Sequence, residues 1–120
     1  MGGRLELEKI LAVAFYRTAS GMEPVRDWIR SLSAEDRKVI GFDLRMVEVG
    51  WPVGMPLCRP MGDGLWEVRS SLRGNRISRI LFCAAGGRMV LLHGFIKKTQ
   101  RTPDADLRLT MRRKKEVERG

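Results

Sequence analysis

The chain has 120 residues, 43% of them hydrophobic, which excludes a disordered protein and allows one domain, residues 1–120, whose core needs no disulfides. Its 23 Lys and Arg residues outnumber its 14 Asp and Glu residues, and the net charge of +9 favours a nucleic acid, an acidic protein or an anionic membrane surface as partner. No apolar run approaches the ~20 residues of a membrane span, and no convincing signal peptide is present, so we expect a soluble, cytoplasmic protein.

The first half of the chain predicts one strand and two helices. Residues 11–16 are apolar and β-prone, which indicates a strand. A helix is predicted to begin at Pro24, whose missing N–H is harmless in the first turn, and apolar residues then recur at helical spacing. Ser33 is typical of the N-cap of a second helix, with Asp36 three residues later and Gly50 at its end.

The second half predicts three strands and a third helix. The prolines within residues 51–56 favour an irregular connection. Three strands form a predicted antiparallel meander: residues 65–70, 77–83 and 89–95. Thr102 is the predicted cap of a helix that begins at Pro103 and runs to about Val117. The resulting order, β-α-α-β-β-β-α, is that of a small α+β domain.

The sequence lacks the usual signatures of metal or nucleotide chemistry. Cys58 and Cys83 have no CxxC spacing, and a single histidine is too few to complete a zinc site. There is no phosphate-binding loop and no set of strand aromatics for stacking RNA bases. We therefore predict no metal, no cofactor and reduced cysteines, with any chemistry carried by Arg, Lys, His or Glu side chains.

Arg69 and Arg79 are the first candidates for a phosphate-binding site. Side chains alternate along a strand, so Glu67 and Arg69 share one face, while Trp66 and Val68 face the predicted core. Glu67 and Arg69 alone suit an ordinary surface ion pair, which contributes little stability. Arg79 lies mid-strand among large apolar residues, where a charge is costly unless it is paired or lines a groove. Because Arg also suits bidentate contact with phosphate, functional and structural roles stay equally open.

His93, Lys97 and Lys98 follow on the last predicted strand. A lone histidine on an apolar strand is more often a core residue than a catalyst, although its titration range suits acid–base chemistry. Lys97 and Lys98 are adjacent, so they point to opposite faces if the strand persists, and one of them should face Arg69 and Arg79. A shift of one residue in register would exchange the two lysines, so the choice between them stays open.

Five further arginines are candidates for contact with an RNA backbone: Arg73, Arg76, Arg101, Arg112 and Arg113. The first two lie in or beside a predicted turn, where simple solvation is the alternative. The last two begin the basic end of the predicted C-terminal helix, and such an end is more often solvated than engaged with bases.

The motif over residues 90–103, together with the strands at 65–69 and 79–82, resembles a known family. It is similar to the RelE/ParE toxin superfamily and, within it, to the HigB-like, phage Gp49-like toxins of type II toxin–antitoxin systems. The resemblance covers nearly the whole chain, from about Leu11 to Val117.

This resemblance implies a RelE-like fold, with two N-terminal helices packed on a curved antiparallel sheet and a C-terminal helix. It implies a ribosome-dependent endoribonuclease, or mRNA interferase, in which the ribose 2′-OH attacks the adjacent phosphate without a metal and leaves a 2′,3′-cyclic phosphate. Arg69, Arg79 and Lys98 match the family's catalytic cations, with Lys97 a close second, and would stabilise charge on the phosphate. The implied partners are a HigA-like helix-turn-helix antitoxin, the ribosome and its mRNA, and operator DNA only through the antitoxin, with no membrane.

Two departures from the family pattern leave the general base open. Some RelE-type enzymes use a C-terminal tyrosine, whereas no aromatic residue follows Phe95 here, and some HigB-type enzymes use more than one histidine. A lysine, Glu67 and His93 therefore all remain candidates. The superfamily also contains ParE-type toxins that inhibit DNA gyrase, and a phage-derived binding protein is a further alternative, because fold alone does not decide activity.

Overall fold

The computed structural model describes residues 8–97 and 101–120. Its elements follow one another in this order: β1 (Ala12–Phe15), α1 (Pro24–Ser31), α2 (Ala34–Gly50), β2 (Cys58–Gly62), β3 (Leu65–Leu72), β4 (Arg76–Ala85), β5 (Arg88–Lys97) and α3 (Asp104–Arg119). The predicted α+β class, the first strand, the two N-terminal helices and the three-stranded meander are confirmed. None of the helices in the described part of the chain is long and apolar enough to span a membrane.

The five strands form one mixed sheet in the order β1-β5-β4-β3-β2. The pairs β2–β3, β3–β4 and β4–β5 are antiparallel, but β1 runs parallel to β5, from Ala12 opposite Arg88 to Phe15 opposite Leu91. The prediction of a wholly antiparallel sheet was therefore wrong at this edge. Since α1 and α2 lie between β1 and the meander along the chain, β1 is not joined to its neighbour by a hairpin and is free to pair in parallel.

Strand β2 was missing from the predicted order, which was wrong by this one strand. It covers only Cys58–Gly62 and pairs with the start of β3, with a bulge between Pro60 and Gly62. Proline and glycine disfavour strands in general, which masked it in the sequence, but both are tolerated at bulges and on edge strands. β2 is the outermost strand of the sheet and contains a bulge, so it can accommodate both residues.

The sheet separates two hydrophobic clusters. One face packs against α1 and α2 and includes Val68, Ile80 and Phe82, all nearly inaccessible to solvent. The other face packs against α3 through a second cluster that includes Leu65 and Leu92. The two N-terminal helices therefore cover one side of the sheet, and the opposite side is left for α3.

The helix starts follow local backbone chemistry. Pro24 occupies the first turn of α1, and the Ser33 hydroxyl caps α2 by accepting a hydrogen bond of 3.2 Å from the Asp36 N–H, both as predicted. Helix α3 begins at Asp104, with Pro103 as its N-cap residue, so the start predicted at Pro103 was one residue early. The predicted cap was also wrong, because the Thr102 hydroxyl is engaged elsewhere, on the Glu67 carboxylate.

Strand β5 contains a bulge that determines which way its second half faces. Leu81 lies opposite His93, but the next residue, Phe82, lies opposite Leu91, so Leu92 is the extra residue. Leu92 belongs to the cluster under α3, and His93 also faces α3. Beyond Leu92, the bulge therefore reverses the faces that strict alternation from Val90 would give.

Gly94 is required where β5 meets α1. A Cβ atom at position 94 would lie 2.6 Å and 2.7 Å from two ring carbons of Trp28, which is too close for unstrained packing. We therefore expect Gly94→Ala to lower the free energy of unfolding by about 1–3 kcal/mol, as overpacking does, in a urea titration. The matched control is Gly41→Ala in α2, where nothing lies within 4 Å of the new methyl group. That change should raise stability by up to about 1 kcal/mol, and equal effects of the two substitutions would refute this packing argument.

Candidate functional site

Four of the predicted catalytic residues, Arg69, Arg79, His93 and Lys97, lie on the α3 face of the sheet, in adjacent cross-strand rows. One row consists of Arg69, Arg79 and Phe95, which lie opposite one another on β3, β4 and β5. In the next row, Glu67 and His93 lie on either side of Leu81. Directly opposed side chains in a sheet are about 5 Å apart, so these residues form one contiguous patch.

Lys97 lies on the same face, one pair of residues further along β5. It lies opposite Ile77, while Phe95 lies opposite Arg79, so Lys97 and Phe95 share the face that carries the arginines. Its side chain is 42% exposed. Lys97 is thus one of the cations on this patch, whereas Lys98, the other lysine predicted for the site, lies outside the described residues.

A buried carboxylate, that of Glu67, is at the centre of the patch. Its Oε1 lies 3.7 Å from Arg69 Nε, its Oε2 lies 3.9 Å from Arg79 Nη1, and the Thr102 hydroxyl donates a 3.2 Å hydrogen bond to Oε2. Glu67 and Arg79 have no accessible side-chain surface. The Glu67–Arg69 pair is therefore not the ordinary surface pair that the sequence suggested, and Arg79 is a core residue in this conformation.

Burial and charge act in opposite directions on Arg79. Burial lowers the pKa of its guanidinium, and the nearby Glu67 carboxylate opposes that effect, while the charges of Arg69 and Arg59 lower the pKa further. Arg69 differs because its side chain is 16% exposed and lines an open cleft of about 460 Å³ beside α2. Of the two arginines, Arg69 is the one that an anionic ligand can reach.

Asp106, in the first turn of α3, connects the two other predicted site residues. Its Oδ1 lies 2.6 Å from His93 Nε2, and its Oδ2 lies 3.7 Å from Lys97 Nζ. The Phe95 ring lies between them, 5.7 Å from the His93 ring and 5.6 Å from Lys97 Nζ. His93 is thus not an isolated core histidine, because it has a carboxylate partner and stays 17% exposed.

The sequence did not identify Asp106 or Arg59 as site residues. Asp106 belongs to the acidic first turn of α3, a pattern normally explained by the helix dipole, and its contact with His93 depends on how α3 packs. Arg59 lies on the missed strand β2, opposite Glu67, and faces the patch. Together with Arg101 and Leu107 it lines a second open cleft of about 400 Å³.

Arg113, a candidate for RNA contact, instead fastens α3 to the sheet. Its Nη1 donates a 2.7 Å hydrogen bond to the carbonyl of Leu92, the bulge residue, and its guanidinium lies 5.2 Å from the centre of the Tyr16 ring. The Tyr16 hydroxyl in turn donates to Glu116, which raises the pKa of Tyr16. Burial lowers the pKa of Arg113. Arg112, the adjacent residue, is exposed.

The remaining candidate arginines lie apart from the patch or at its border. Arg76 lies opposite Leu72, faces α2, and donates two hydrogen bonds, of 2.8 Å and 3.0 Å, to the Asp36 carboxylate. Arg73, 81% exposed, lies 3.6 Å from a Glu35 oxygen at the same end of α2. Only Arg101, which is 84% exposed and lines the second cleft, borders the patch.

The described residues offer neither a cluster of metal ligands nor a reactive thiol. Among the described residues, no group of three or more His, Cys, Asp and Glu side chains is placed to hold a metal ion. Cys58 and Cys83 are buried free thiols, as predicted. Burial, followed by the charge of Glu67, raises the pKa of Cys58 to about 11, and burial also raises the pKa of Cys83, so both stay protonated and unreactive near neutral pH.

Comparison with known protein families places these residues in context. The model of a family described as phage-derived protein Gp49-like (DUF891) matches residues 27–115. The chain belongs to this Gp49-like family. The family is associated with RelE-type, toxin-like proteins, and the matched segment contains the whole patch from Arg59 to Asp106. No curated protein matches the chain.

The buried carboxylate of this Gp49-like protein should be essential for its stability. We expect Glu67→Gln to lower the free energy of unfolding by about 3–5 kcal/mol, because it removes an anion that offsets the buried Arg79 cation. Replacing both partners, as Glu67→Gln with Arg79→Met, should cost less than the single change, because no uncompensated charge remains. Chemical denaturation of the three proteins measures this, and a double variant that is less stable than Glu67→Gln would contradict it.

The Asp36–Arg76 pair should make stability depend on acid pH. The hydrogen bonds from Arg76 lower the pKa of Asp36 below its ordinary value of 3.8, so the pair stabilises the fold above that pH and loses this effect as pH falls through the lower, folded-state pKa. The stability difference between wild type and Asp36→Asn should therefore be largest near neutral pH and shrink below pH 3.8. Glu35→Gln is the control, since its pair with Arg73 is exposed and should contribute little. A difference that persists unchanged in acid would contradict this linkage.

Proposed function

We propose that this Gp49-like protein is a HigB-like toxin of RelE-like fold from a type II toxin–antitoxin system, and that it cleaves mRNA on the ribosome. The observation that carries the proposal is the α3 face of the sheet, on which Arg69, His93 and Lys97 lie around the buried pair of Glu67 and Arg79. Two cations and an imidazole on one face of the sheet are the groups needed to hold and cleave a phosphodiester without a cofactor.

Each cation has a different part in this proposal. Arg69 lines an open cleft, and its planar guanidinium can donate two hydrogen bonds to phosphate oxygens. Lys97 supplies a mobile point charge from the other side of the patch. Arg79 is buried beneath them and, with Glu67, acts as a rigid support for the cationic surface rather than as a direct ligand.

The proposed reaction is attack of a ribose 2′-OH on the neighbouring phosphorus. The 2′-oxygen forms a new bond to phosphorus, the bond to the 5′-oxygen of the next nucleotide breaks, and the products are a 2′,3′-cyclic phosphate and a 5′-OH. Negative charge accumulates on the phosphoryl oxygens in the transition state, and fixed cations stabilise it by several kcal/mol.

The proposed partners follow from charge as well as from the family. A net charge of +9 favours binding to the ribosome and its mRNA, because both are anionic. An acidic segment of a HigA-like helix-turn-helix antitoxin would also be attracted to the partly exposed Arg69 and to Lys97, and covering them would neutralise the toxin. Operator DNA would be bound only through that antitoxin.

Induced expression in a bacterium tests this function. We expect growth to stop, protein synthesis to fall first, and transcripts to acquire new 5′-OH ends within translated codons. An induced DNA-damage response with intact mRNA would instead identify a gyrase inhibitor. No effect on growth would favour a phage-derived binding protein, and either result would refute the proposal.

Arg69→Ala is the sharpest single substitution for the proposed site. It should abolish growth arrest and reduce mRNA cleavage by about 10²- to 10³-fold, the typical loss when one charge-stabilising donor is removed. Arg45→Ala is the matched control, because Arg45 is equally cationic but lies exposed on α2, on the other side of the sheet. Thermal unfolding of both variants separates lost activity from lost fold. A folded Arg69→Ala protein that still arrests growth would remove Arg69 from the site.

A further inference from the structure

We propose that His93 is the general base of the cleavage reaction and that Asp106 is its positioning residue; this inference rests on the proposed function. The geometry points to it because Asp106 Oδ1 lies 2.6 Å from His93 Nε2, within hydrogen-bond distance, although the residues are 13 positions apart in the chain. Helix α3 thus contributes a carboxylate to a site whose proposed catalytic side chains, Arg69, His93 and Lys97, come from the sheet.

The carboxylate determines which imidazole nitrogen is free. An ionised carboxylate can only accept hydrogen bonds, so the Nε2 atom that faces it must donate, and Nε2 carries the proton. In the neutral imidazole the other nitrogen, Nδ1, then has the lone pair. Asp106 therefore holds His93 in the tautomer in which Nδ1 can take the proton of a 2′-OH.

The other two candidates for the base are less suited to that role. Glu67 has no accessible surface and is surrounded by Arg69, Arg79 and Thr102. The Lys97 ammonium has donors but no acceptor, which suits it to phosphate binding. His93 has accessible surface and an acceptor nitrogen.

Substrate can approach His93 from the open side of β5. A cleft of about 200 Å³ lies beside it, between α1 and α3, with Trp28 and Arg113 in its walls. His93 and Lys97 contact the two oxygens of the same Asp106 carboxylate, at 2.6 Å and 3.7 Å, so a phosphate held by Lys97 lies beside the imidazole. Arg69 lies two strands away on β3, on the same face of the sheet. In the proposed step, the 2′-OH proton moves to His93 Nδ1 as the 2′-oxygen bonds to phosphorus, and the departing 5′-oxygen takes a proton from water. The hydroxide left behind then takes the proton from His93 and restores the neutral imidazole.

The presence of Asp106 also has a purely structural explanation, and the test must distinguish that explanation from a role in positioning His93. An acidic residue in the first turn of a helix stabilises it by about 0.3–1 kcal/mol through the helix dipole. Asp27 is in the equivalent place in α1 and is exposed, so Asp27→Asn removes the same kind of charge away from His93. It is the matched control.

The experiment measures cleavage of mRNA on purified ribosomal complexes under single-turnover conditions, with the full chain and its variants. His93→Gln should lower the maximal rate by about 10²- to 10⁴-fold, as expected for loss of a general base. Asp106→Asn should lower the maximal rate by about 10²-fold with little change in the protein concentration giving half the maximal rate, because misplacing a catalytic group has that scale of effect. Asp106→Glu should restore part of the rate, and Asp27→Asn should leave it unchanged.

Two further readouts distinguish the possible failures. Imidazole added to His93→Ala should recover part of the lost rate, which a structural role would not produce. Nitrogen-15 spectra of the free protein should show the Nε2–H tautomer in wild type and a mixture in Asp106→Asn. Wild-type cleavage that survives in Asp106→Asn and His93→Gln would overturn this inference and leave the proposed function intact. Absence of cleavage by the wild type would overturn both.

Discussion

The buried Glu67 carboxylate is the interaction on which the rest of the patch depends. It lies on the central part of the α3 face and contacts Arg69 on its own strand, Arg79 on β4 and Thr102 just before α3. Without that anion, a fully buried guanidinium would have to be desolvated with less compensation, and such a charge is costly in a protein interior.

The position of Glu67 between the two arginines also explains why Arg69 is partly exposed while Arg79 is fully buried. Glu67 offsets two neighbouring positive charges that would otherwise repel each other across the β3–β4 pair. Arg79 is the deeper of the two and has no accessible surface, so Arg69 is held above it with part of its side chain in the open cleft. A rigid, partly exposed guanidinium loses little conformational freedom when it binds an anion.

Most of the fold could be predicted from local patterns. Pro24 and Ser33 determine the helix starts through backbone hydrogen-bonding chemistry, and a glycine pair such as Gly86-Gly87 is typical of a hairpin turn, where both residues have positive φ. The predictions were wrong where a strand's structure depends on the neighbouring strand with which it pairs. β2 is stabilised as an edge strand despite Pro60, and β1 reaches β5 in parallel, which no local pattern indicates.

The site was less predictable, because one bulge decides its composition. Strict alternation from Val90 would put His93 and Lys97 on the face of α1 and α2, whereas the extra residue Leu92 turns both toward α3. The sequence left the choice between the two lysines open for this reason. Asp106 was missed because its partners are determined by helix packing rather than by spacing along the chain.

The overall positive charge does not by itself make a site, since most of the candidate arginines already have carboxylate partners. Arg73 pairs with Glu35, Arg76 with Asp36, and Arg101 with Asp104.

The patch differs because its carboxylates also hold neighbouring side chains in place. Asp106 lies at the positive end of the α3 dipole and contacts both His93 and Lys97, while Arg113, about two helical turns further along, holds α3 to the bulge carbonyl. The docking of α3 and the geometry of the imidazole are therefore coupled. We expect a change that loosens the helix from Leu92 also to loosen the carboxylate from His93, so the geometry of the imidazole depends on the packing of the C-terminal helix.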